Sequence, residues 1–257
     1  MPPRLGQHFL TNPAPVRIAL EALAVERGDT VIEIGPGNGA LTFPLREAAR
    51  RAGANLTLIE RDNNLATELR ARLCDSEVKV IEGDAVLKLP ELLAHERNRV
   101  KIVGNIPFYI TGKLLRILSE APRPPERTVL MVQKEVAQRI VARPPKFNLL
   151  AAAVQFWAEP KIIAVIPSRD FKPPPKVESA LLLLEGRANI PGDKERYEHA
   201  LRMAFRQPRK TLLNNLLSGT GKPRGEIERI LHALKIPPQS RPQDLSVEDI
   251  MHIAGEL

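Results

Sequence analysis

The four residues Asn105-Ile106-Pro107-Phe108 have the chemistry needed to present an adenine amine to a methyl donor. The lone pair of the adenine N6 is delocalised into the ring, which makes this nitrogen a poor nucleophile. The side-chain carbonyl of Asn105 and a nearby main-chain carbonyl can accept both N6 hydrogens, so that the lone pair turns towards the donor. Pro107 fixes the turn that aims the carbonyl, and Phe108 can stack on an extruded base. No strong general base is needed, which is typical of positioning catalysis. A proline turn followed by a packed phenylalanine is the alternative.

A ligand site is indicated by Gly35, Gly37 and Gly39, which follow the apolar run Thr30–Ile34 and precede an amphipathic run. This pattern predicts a strand, a glycine turn and a helix. Glycine permits positive φ and lets a ligand approach the backbone, and the helix N-terminus offers unpaired N–H groups. The spacing Gly-x-Gly-x-Gly differs by one residue from the dinucleotide fingerprint Gly-x-Gly-x-x-Gly, which disfavours a dehydrogenase. By itself the turn is also compatible with no ligand at all.

Polar residues at the ends of the following strands strengthen the prediction of a ligand. Glu60 ends the second predicted strand, Asp84 follows the third, and Asn105 ends the fourth. The carboxyl ends of parallel strands open on one crevice, where an acid can accept both ribose hydroxyls of a nucleoside. Asp84 is placed to bind the base. The four strand ends together indicate S-adenosylmethionine in this crevice.

Helices and strands alternate over most of the chain, which predicts a parallel α/β sheet. The last strands lie close together, which predicts an antiparallel pair that finishes the sheet. The predicted strands are Thr30–Ile34, Asn55–Glu60, Val78–Glu82, Val100–Gly104, Thr128–Gln133, Lys161–Ile166 and Ser179–Leu184.

The composition changes near Gly186, after which only helical periodicity is found. We therefore predict a domain over residues 1–186 and a small helical domain over residues 187–257. The predicted helices of the second domain are Tyr197–Phe205, Thr211–Leu217, Gly225–Leu234 and Val247–Ile253.

The chain of 257 residues has a net charge of +8, which suggests an anionic partner such as nucleic acid, or a basic surface without specific meaning. Cys74 is the single cysteine and the five histidines are scattered, so we expect a reduced, cytoplasmic setting and no metal site. No apolar run reaches the roughly 18 residues of a membrane helix, and Met1–Leu10 has no signal-peptide pattern, so no membrane partner is expected.

Several stretches between residues 5 and 217 resemble the KsgA family of small-subunit rRNA adenine N6,N6-dimethyltransferases, which use S-adenosylmethionine. The first and the last two are the most specific. They are Leu5–Leu10, Glu33–Gly39, Asn105–Phe108, Met131–Ala137, Phe171–Ala180 and Phe205–Leu212. The resemblance implies a Rossmann-like class I methyltransferase sheet, mostly parallel with antiparallel end strands, and a small C-terminal α-helical domain.

The resemblance also implies roles for individual residues. Asn105, Pro107 and Phe108 would be catalytic, with Phe108 in a position where the family often has tyrosine. Phenylalanine keeps the π face and loses a hydroxyl, so stacking should persist. The residues expected to bind the cofactor are Gln7, His8, Leu10, Gly35, Gly37, Gly39, Glu60, Asp84 and Asn105.

The implied reaction is dimethylation of N6 on two adjacent adenosines near the 3′ end of 16S rRNA, as a step of ribosome biogenesis. The partner would be small-subunit rRNA or the immature small subunit, and the enzyme a cytoplasmic monomer. Phosphate contacts that position RNA without reading its sequence are expected at basic residues, although Pro208 interrupts a run that is usually more basic. These residues are Arg143, Lys146, Lys172, Lys176, Arg206, Arg209 and Lys210.

Two rival functions share many of these features. An Erm-like enzyme would methylate large-subunit rRNA and give macrolide resistance, but the stretches Lys176–Ala180 and Arg209–Leu212 favour the small subunit. A non-catalytic ribosome-assembly or transcription factor could keep the fold, but the intact Asn105 motif argues against it.

Overall fold

The computed structural model describes residues 8–73, 77–190 and 192–257. The strands are β1 (Phe9–Leu10), β2 (Thr30–Ile34), β3 (Asn55–Glu60), β4 (Val78–Glu82), β5 (Val100–Asn105), β6 (Arg127–Gln133), β7 (Ala158–Ile166), β8 (Phe171–Lys172) and β9 (Ser179–Gly186). The helices are α1 (Ala14–Leu23), α2 (Thr42–Ala52), α3 (Asn63–Leu73), α4 (Ala85–His95), α5 (Thr111–Glu120), α6 (Lys134–Ile140), α7 (Leu149–Gln155), α8 (Lys194–Ala204), α9 (Leu212–Thr220), α10 (Arg224–Ala233) and α11 (Val247–Glu256).

The main sheet has seven strands in the order β4-β3-β2-β5-β6-β9-β7. The five strands from β4 to β6 are parallel, and β9 is antiparallel to both β6 and β7. The predicted fold class, a mostly parallel sheet with antiparallel end strands, is therefore confirmed. Since β2 lies between β3 and β5, the carboxyl ends of these three strands meet at one edge of the sheet.

The central strands are buried on both faces because helices cover both sides of a parallel sheet. All five residues of β2 are buried, and Leu58, Ile102 and Leu130 of the neighbouring strands are fully buried. Such strands read as continuous apolar runs, which is why the bounds of β2 and β3 agree with the predicted ones. The bounds of β4, an edge strand without a fully buried residue, agree as well.

Two short strands were not predicted from the sequence. β1 pairs antiparallel with β8, with Phe9 opposite Lys172 and Leu10 opposite Phe171. Thr11 extends this contact through its N–H, which donates to the carbonyl of Asp170 at 2.8 Å. The N-terminal segment is thereby tied to a segment far along the chain. Gln7 and the rest of the Leu5–Gln7 stretch lie outside the described residues, as does Cys74.

Helix α4 was also absent from the predicted elements. Pro90 lies inside it, and proline is a helix breaker in most sequence patterns. The helix begins because the Asp84 side chain accepts a hydrogen bond from the N–H of Val86 at 2.9 Å, which caps its first turn.

The chain divides into two compact units. The first runs to Ala137 and resumes at Ala158–Arg187, and the second takes Gln138–Trp157 and Ala188–Leu257. The predicted boundary near Gly186 lies next to the last point at which the chain passes between the units, after Arg187, whereas Gln138–Trp157, predicted to belong to the first domain, groups with the C-terminal helices.

Contacts of Tyr197 explain this grouping. The Tyr197 hydroxyl donates to the carbonyl of Ala152 at 2.9 Å. Its ring also stacks on Phe156, with 4.0 Å between the centroids. In the same unit, Ile227, Leu231, Ile250 and Ile253 are fully buried. No helix among the described residues is long and apolar enough to cross a membrane.

Candidate active site

The glycine turn after β2 has a backbone that other residues rarely adopt. The φ angles of Gly35, Gly37 and Gly39 are +67°, +56° and +88°. A Cβ on Gly37 would lie 3.1 Å from the Phe9 ring, and one on Gly39 would lie 2.5 Å from the Phe43 ring. The turn therefore requires glycine for its conformation and, at Gly39, also for space.

Arg72 of α3 stabilises this turn through two contacts. Its Nη1 donates to the carbonyl of Asn38 at 3.0 Å. Its guanidinium also lies 4.4 Å from the centroid of the Phe43 ring, the ring that packs against Gly39. A cation over an aromatic face is attracted by the ring quadrupole. Arg72 and Phe43 together hold the backbone of residues 38 and 39.

Glu60 joins the ends of β2 and β3. The side chain is 4% exposed, and its two oxygens accept hydrogen bonds from the N–H groups of Gly37 and Asp62, each at 2.9 Å. A carboxylate has about four lone-pair sites. Two of them remain for hydroxyl donors such as those of a ribose.

Arg61, which directly follows β3, contacts one residue beyond the end of β5 and one beyond the end of β4. Arg61 Nη1 donates to the hydroxyl of Tyr109 at 3.1 Å and lies 3.9 Å from Asp84 Oδ2. Neither Arg61 nor Tyr109 was predicted as a site residue. Their signal in the sequence was their position directly after Glu60 and Phe108. The ring of Tyr109 is largely exposed, at 61%.

Asn105 is oriented by the N-terminal segment. Its Nδ2 donates to the carbonyl of His8 at 2.9 Å, which leaves Oδ1 as an acceptor. His8 is held in turn, because its Nδ1 donates to the carbonyl of Pro173 at 2.7 Å. The rings of His8 and Phe108 face each other, with 6.4 Å between centroids and 27° between planes. His8 thus contacts both Asn105 and Phe108, and all three residues line the same cleft.

Glu33 is a site residue that was not singled out from the sequence. It lines the cleft, is 1% exposed, and its Oε2 accepts no hydrogen bond from any residue that the structure describes. Burial is the main reason that the pKa of Glu33 is raised to about 8, and the negative charge of Glu60 raises it further. The nearby Thr42 lowers the pKa in part, although its Oγ1 is outside hydrogen-bonding geometry. An unpaired buried carboxyl in the cleft suits a cationic ligand, and S-adenosylmethionine carries both a sulfonium and an ammonium group.

Most of the predicted cofactor and catalytic residues line this one cleft in the first unit. Gly39 shapes the turn behind the lining, and Gln7 lies outside the described residues. Phe171 of β8, 4% exposed, was not predicted as a site residue and also lines the cleft. The predicted residues in the lining are His8, Leu10, Gly35, Gly37, Glu60, Asp84, Asn105, Pro107 and Phe108.

The basic residues predicted to bind RNA are distributed over both units. Lys172 and Lys176 lie in the first unit and the other five in the second. All seven are exposed. Within the described part of the chain none of them forms a salt bridge, whereas the exposed Arg224 pairs with Glu228 at 2.8 Å. Their contact with RNA stays a prediction.

The sheet order and the cleft over its central strands define a Rossmann-like methyltransferase. The crystal structure of the 23S rRNA methyltransferase ErmE superposes with a TM-score of 0.78 at 27% identity and covers 97% of this chain and 99% of its own. A dimethyladenosine transferase from Plasmodium falciparum shares the fold, with a TM-score of 0.80, 24% identity and 96% of each chain covered.

The family model described as ribosomal RNA adenine dimethylase matches residues 2–257. A relative named ribosomal RNA small subunit methyltransferase A from Prochlorococcus marinus (strain MIT 9303) is 40% identical, over 99% of this chain and 93% of its own. A protein of the same name from Dehalococcoides mccartyi (strain CBDB1) is 36% identical over 95% and 84%. The chain belongs to the ribosomal RNA adenine dimethylase family, and its methyl donor is S-adenosylmethionine.

Proposed function

We propose that this enzyme dimethylates N6 of two adjacent adenosines near the 3′ end of small-subunit 16S rRNA, as a step of ribosome biogenesis. The observation that carries the proposal is the orientation of Asn105. Because its Nδ2 is bonded to His8, its Oδ1 is left as an acceptor in the cleft that Phe108 also lines, where an adenine N6 could donate.

Catalysis would depend on placement more than on acid–base chemistry. Asn105 Oδ1 would accept one N6 hydrogen and turn the nitrogen lone pair out of the ring plane, while Phe108 stacks on the base. Pro107, at φ −56° and ψ 132°, sets the start of the turn that carries Phe108. The N6 proton would leave after the nitrogen has become cationic, so that no strong base is needed.

The cofactor would be held by the glycine turn and the acids around it. Glu60 would bind the ribose hydroxyls, Asp84 the adenine, and His8 and Leu10 would close over the ligand. S-adenosylmethionine supplies an electrophilic methyl group on a sulfonium. Glu33 would face the positive charge of the ligand from the floor of the cleft.

Transfer of labelled methyl groups to small-subunit particles tests this assignment. We expect Asn105→Ala to lower kcat by about 10²- to 10³-fold, the loss typical of removing one preorganised hydrogen-bonding group. Cofactor affinity, measured by calorimetry, separates a chemical effect from a binding effect. Asn64→Ala on the exposed face of α3 is the matched control and should retain wild-type activity. Undiminished transfer by Asn105→Ala would contradict the assigned role.

A large-subunit substrate is the second candidate, and the similarity to ErmE at 27% identity is the observation that favours it. Two relatives at 36% and 40% identity carry a small-subunit name, which supports the first proposal. Small and large subunits are purified without the methylation and offered to the enzyme separately. We expect the small subunit to be methylated and the large subunit not to be. Methylation of the large subunit alone would reverse the choice.

We further propose that the partner is rRNA within the immature small subunit, met in the cytoplasm by a monomeric enzyme. Support comes from the net charge of +8 and from the exposed basic residues. The expected phosphate contacts are Arg143, Lys146, Lys172, Lys176, Arg206, Arg209 and Lys210. Each alanine substitution at a true contact should reduce the salt dependence of RNA binding by about one unit of slope. Arg224→Ala, at a cation already paired with Glu228, should not.

A further inference from the structure

A basic loop connects α8 and α9 in the second unit. Its five residues, Arg206–Lys210, are all exposed, so no apolar side chain of its own anchors it to the core. Three of the five are cationic. An exposed segment of this kind is expected to be mobile unless its backbone is bonded to something rigid.

Asn215 supplies that rigid partner. It lies on α9 and is 1% exposed. Its Oδ1 accepts from the N–H of Gln207 at 2.8 Å. Its Nδ2 has the carbonyls of Gln207, Lys210 and Thr211 within reach, at 3.0, 3.3 and 3.1 Å. One buried amide therefore bonds the backbone at both ends of the loop.

Two further bonds close the loop on itself and on α9. The N–H of Lys210 donates to the carbonyl of Gln207 at 2.9 Å. Arg206 Nη1 donates to the carbonyl of Ser218, also at 2.9 Å. These hydrogen bonds hold the loop, and Asn215 takes part in those that fix its central backbone.

A preorganised loop binds a polyanion more tightly than a mobile one, because less conformational entropy is lost on binding. Fixing the backbone from Gln207 to Lys210 also fixes the directions in which Arg209 and Lys210 leave the surface. Phosphates of an RNA strand are regularly spaced, so cations with fixed origins can meet them without rearrangement.

We propose that Asn215 is a positioning residue that holds the loop Arg206–Lys210 in one conformation for binding the phosphate backbone of RNA. The inference rests on the proposed function, since it requires RNA to be the partner. It goes further by assigning a role to a buried side chain that itself touches no RNA.

The chain offers a matched pair for the test, because Asn214 is exposed and adjacent to the buried Asn215 on the same helix. Limited proteolysis with trypsin measures loop mobility directly, since trypsin cleaves after Arg206, Arg209 and Lys210 only when the loop can leave its folded conformation. We expect Asn215→Ala to be cleaved there about tenfold faster than Asn214→Ala, which corresponds to the loss of about 1.4 kcal/mol of hydrogen bonding.

The second readout is steady-state methyl transfer to small-subunit particles. We expect the KM for the particle to rise about tenfold in Asn215→Ala, with kcat and the calorimetric affinity for S-adenosylmethionine unchanged. A purely structural role would lower the free energy of unfolding without raising the KM for the particle at an unchanged kcat. If Asn215→Ala does not fold, Asn215→Asp replaces it, because aspartate keeps the acceptor for Gln207 and loses the donors.

The outcomes separate this inference from the function on which it rests. Equal cleavage and equal KM in the Asn214→Ala and Asn215→Ala variants would overturn the inference, as would faster cleavage without a change in KM. If Arg209→Ala and Lys210→Ala weaken particle binding while Asn215→Ala does not, the RNA contact stands and the positioning role fails. If none of these variants affects binding, the proposed RNA contact of this loop fails as well.

Discussion

At the scale of single residues, burial determines the chemistry of Glu33. It lies on β2 between Leu58 of β3 and Val103 of β5 in register, and both neighbours are buried. Water cannot solvate a carboxylate there, so the protonated form is favoured and the pKa rises to about 8. Glu33 is therefore mostly protonated at neutral pH in the free enzyme, and a cation in the cleft would favour its ionised form.

The raised pKa predicts a pH-dependent stability. The folded state keeps the Glu33 proton up to about pH 8, whereas the unfolded chain loses it near pH 4.5. The free energy of unfolding should therefore fall as the pH rises through this window, because the folded state binds more protons than the unfolded state. Glu33→Gln removes this term and should gain stability relative to wild type between pH 5 and pH 9, as measured by urea unfolding.

Glu47→Gln is the control for that measurement. Hydrogen bonds from Arg50 and Arg51 lower the pKa of Glu47 to about 2, so this carboxylate is ionised at both pH values. Its replacement should shift stability by the same amount at pH 5 and pH 9. An equally constant shift in Glu33→Gln would show that Glu33 titrates normally.

Phe108 gives a second prediction at this scale. Stacking of a base on an aromatic ring contributes about 1–3 kcal/mol, so Phe108→Ala should lower kcat/KM for the RNA substrate by about 10- to 100-fold. Phe108→Tyr keeps the ring and adds a hydroxyl, so it should remain within about threefold of wild type. A loss in the tyrosine variant as large as in the alanine variant would exclude stacking as the role of this position.

At the scale of elements, the glycine turn depends on a helix that contributes no residue to the cleft lining. Arg72 in the last turn of α3 bonds the carbonyl of Asn38 and covers the ring of Phe43. The ring of Phe43, at the start of α2, packs against Gly39. The cofactor turn is thus supported by two helices as well as by β2.

We predict that Arg72→Met raises the KM and the dissociation constant for S-adenosylmethionine by about tenfold, through the lost hydrogen bond and cation–π contact. The kcat at saturating cofactor should change little, because Asn105 and Phe108 are not involved. Arg70→Met on the same helix is the control, since Arg70 contacts the carbonyl of Val80 in β4 instead. Equal cofactor affinities in the two variants would contradict the bracing role.

At the scale of the whole molecule, a buried ion pair lies where the parallel strands begin, at the end of the sheet opposite to the cleft. Lys101 at the start of β5 is fully buried, and its Nζ lies 2.9 Å from Asp29 Oδ2, while Asp29 is also fully buried. The Nζ further donates to the carbonyl of Ala24. The pair links the end of α1, the start of β2 and the start of β5.

Lys101→Met would leave Asp29 with one cation, Arg99, whose Nη2 lies 3.1 Å from Oδ1, and with the hydrogen bond from the N–H of Glu26. The loss should therefore stay below the roughly 3–5 kcal/mol of a buried charge without any partner, and we expect the free energy of unfolding to fall by about 1.5–3 kcal/mol in urea titrations, the worth of a hydrogen bond between charged groups. Lys161→Met is the control, because Lys161 pairs with Glu185 on the surface, where water screens the interaction. Equal losses in Lys101→Met and Lys161→Met would contradict a stabilising role for the buried pair.

Strands that can be recognised from their own residues were predicted with the correct bounds. The bounds of β2 and β3 agree with the prediction because buried parallel strands are continuous apolar runs between turn residues. The bounds of β4, a partly exposed edge strand, agree because Gly83 directly follows it. Helix α4 was missed because Pro90 lies inside it and proline is typical of helix ends, although the residues that the helix buries, Ala85, Leu89 and Leu93, recur every four positions. β1 and β8 were missed because two residues carry no periodicity, and only their pairing across the chain makes them strands.

The sequence by itself determined the class of sheet, the glycine turn, the acids at the strand ends and the Asn105–Phe108 motif, because each is encoded by residues close together in the chain. The tertiary structure decided how these residues are used. The bond from Asn105 to His8 spans 97 positions, and the raised pKa of Glu33 depends on burial by strands on both sides of β2. Such properties arise from sheet order and burial, and local spacing does not specify either of them.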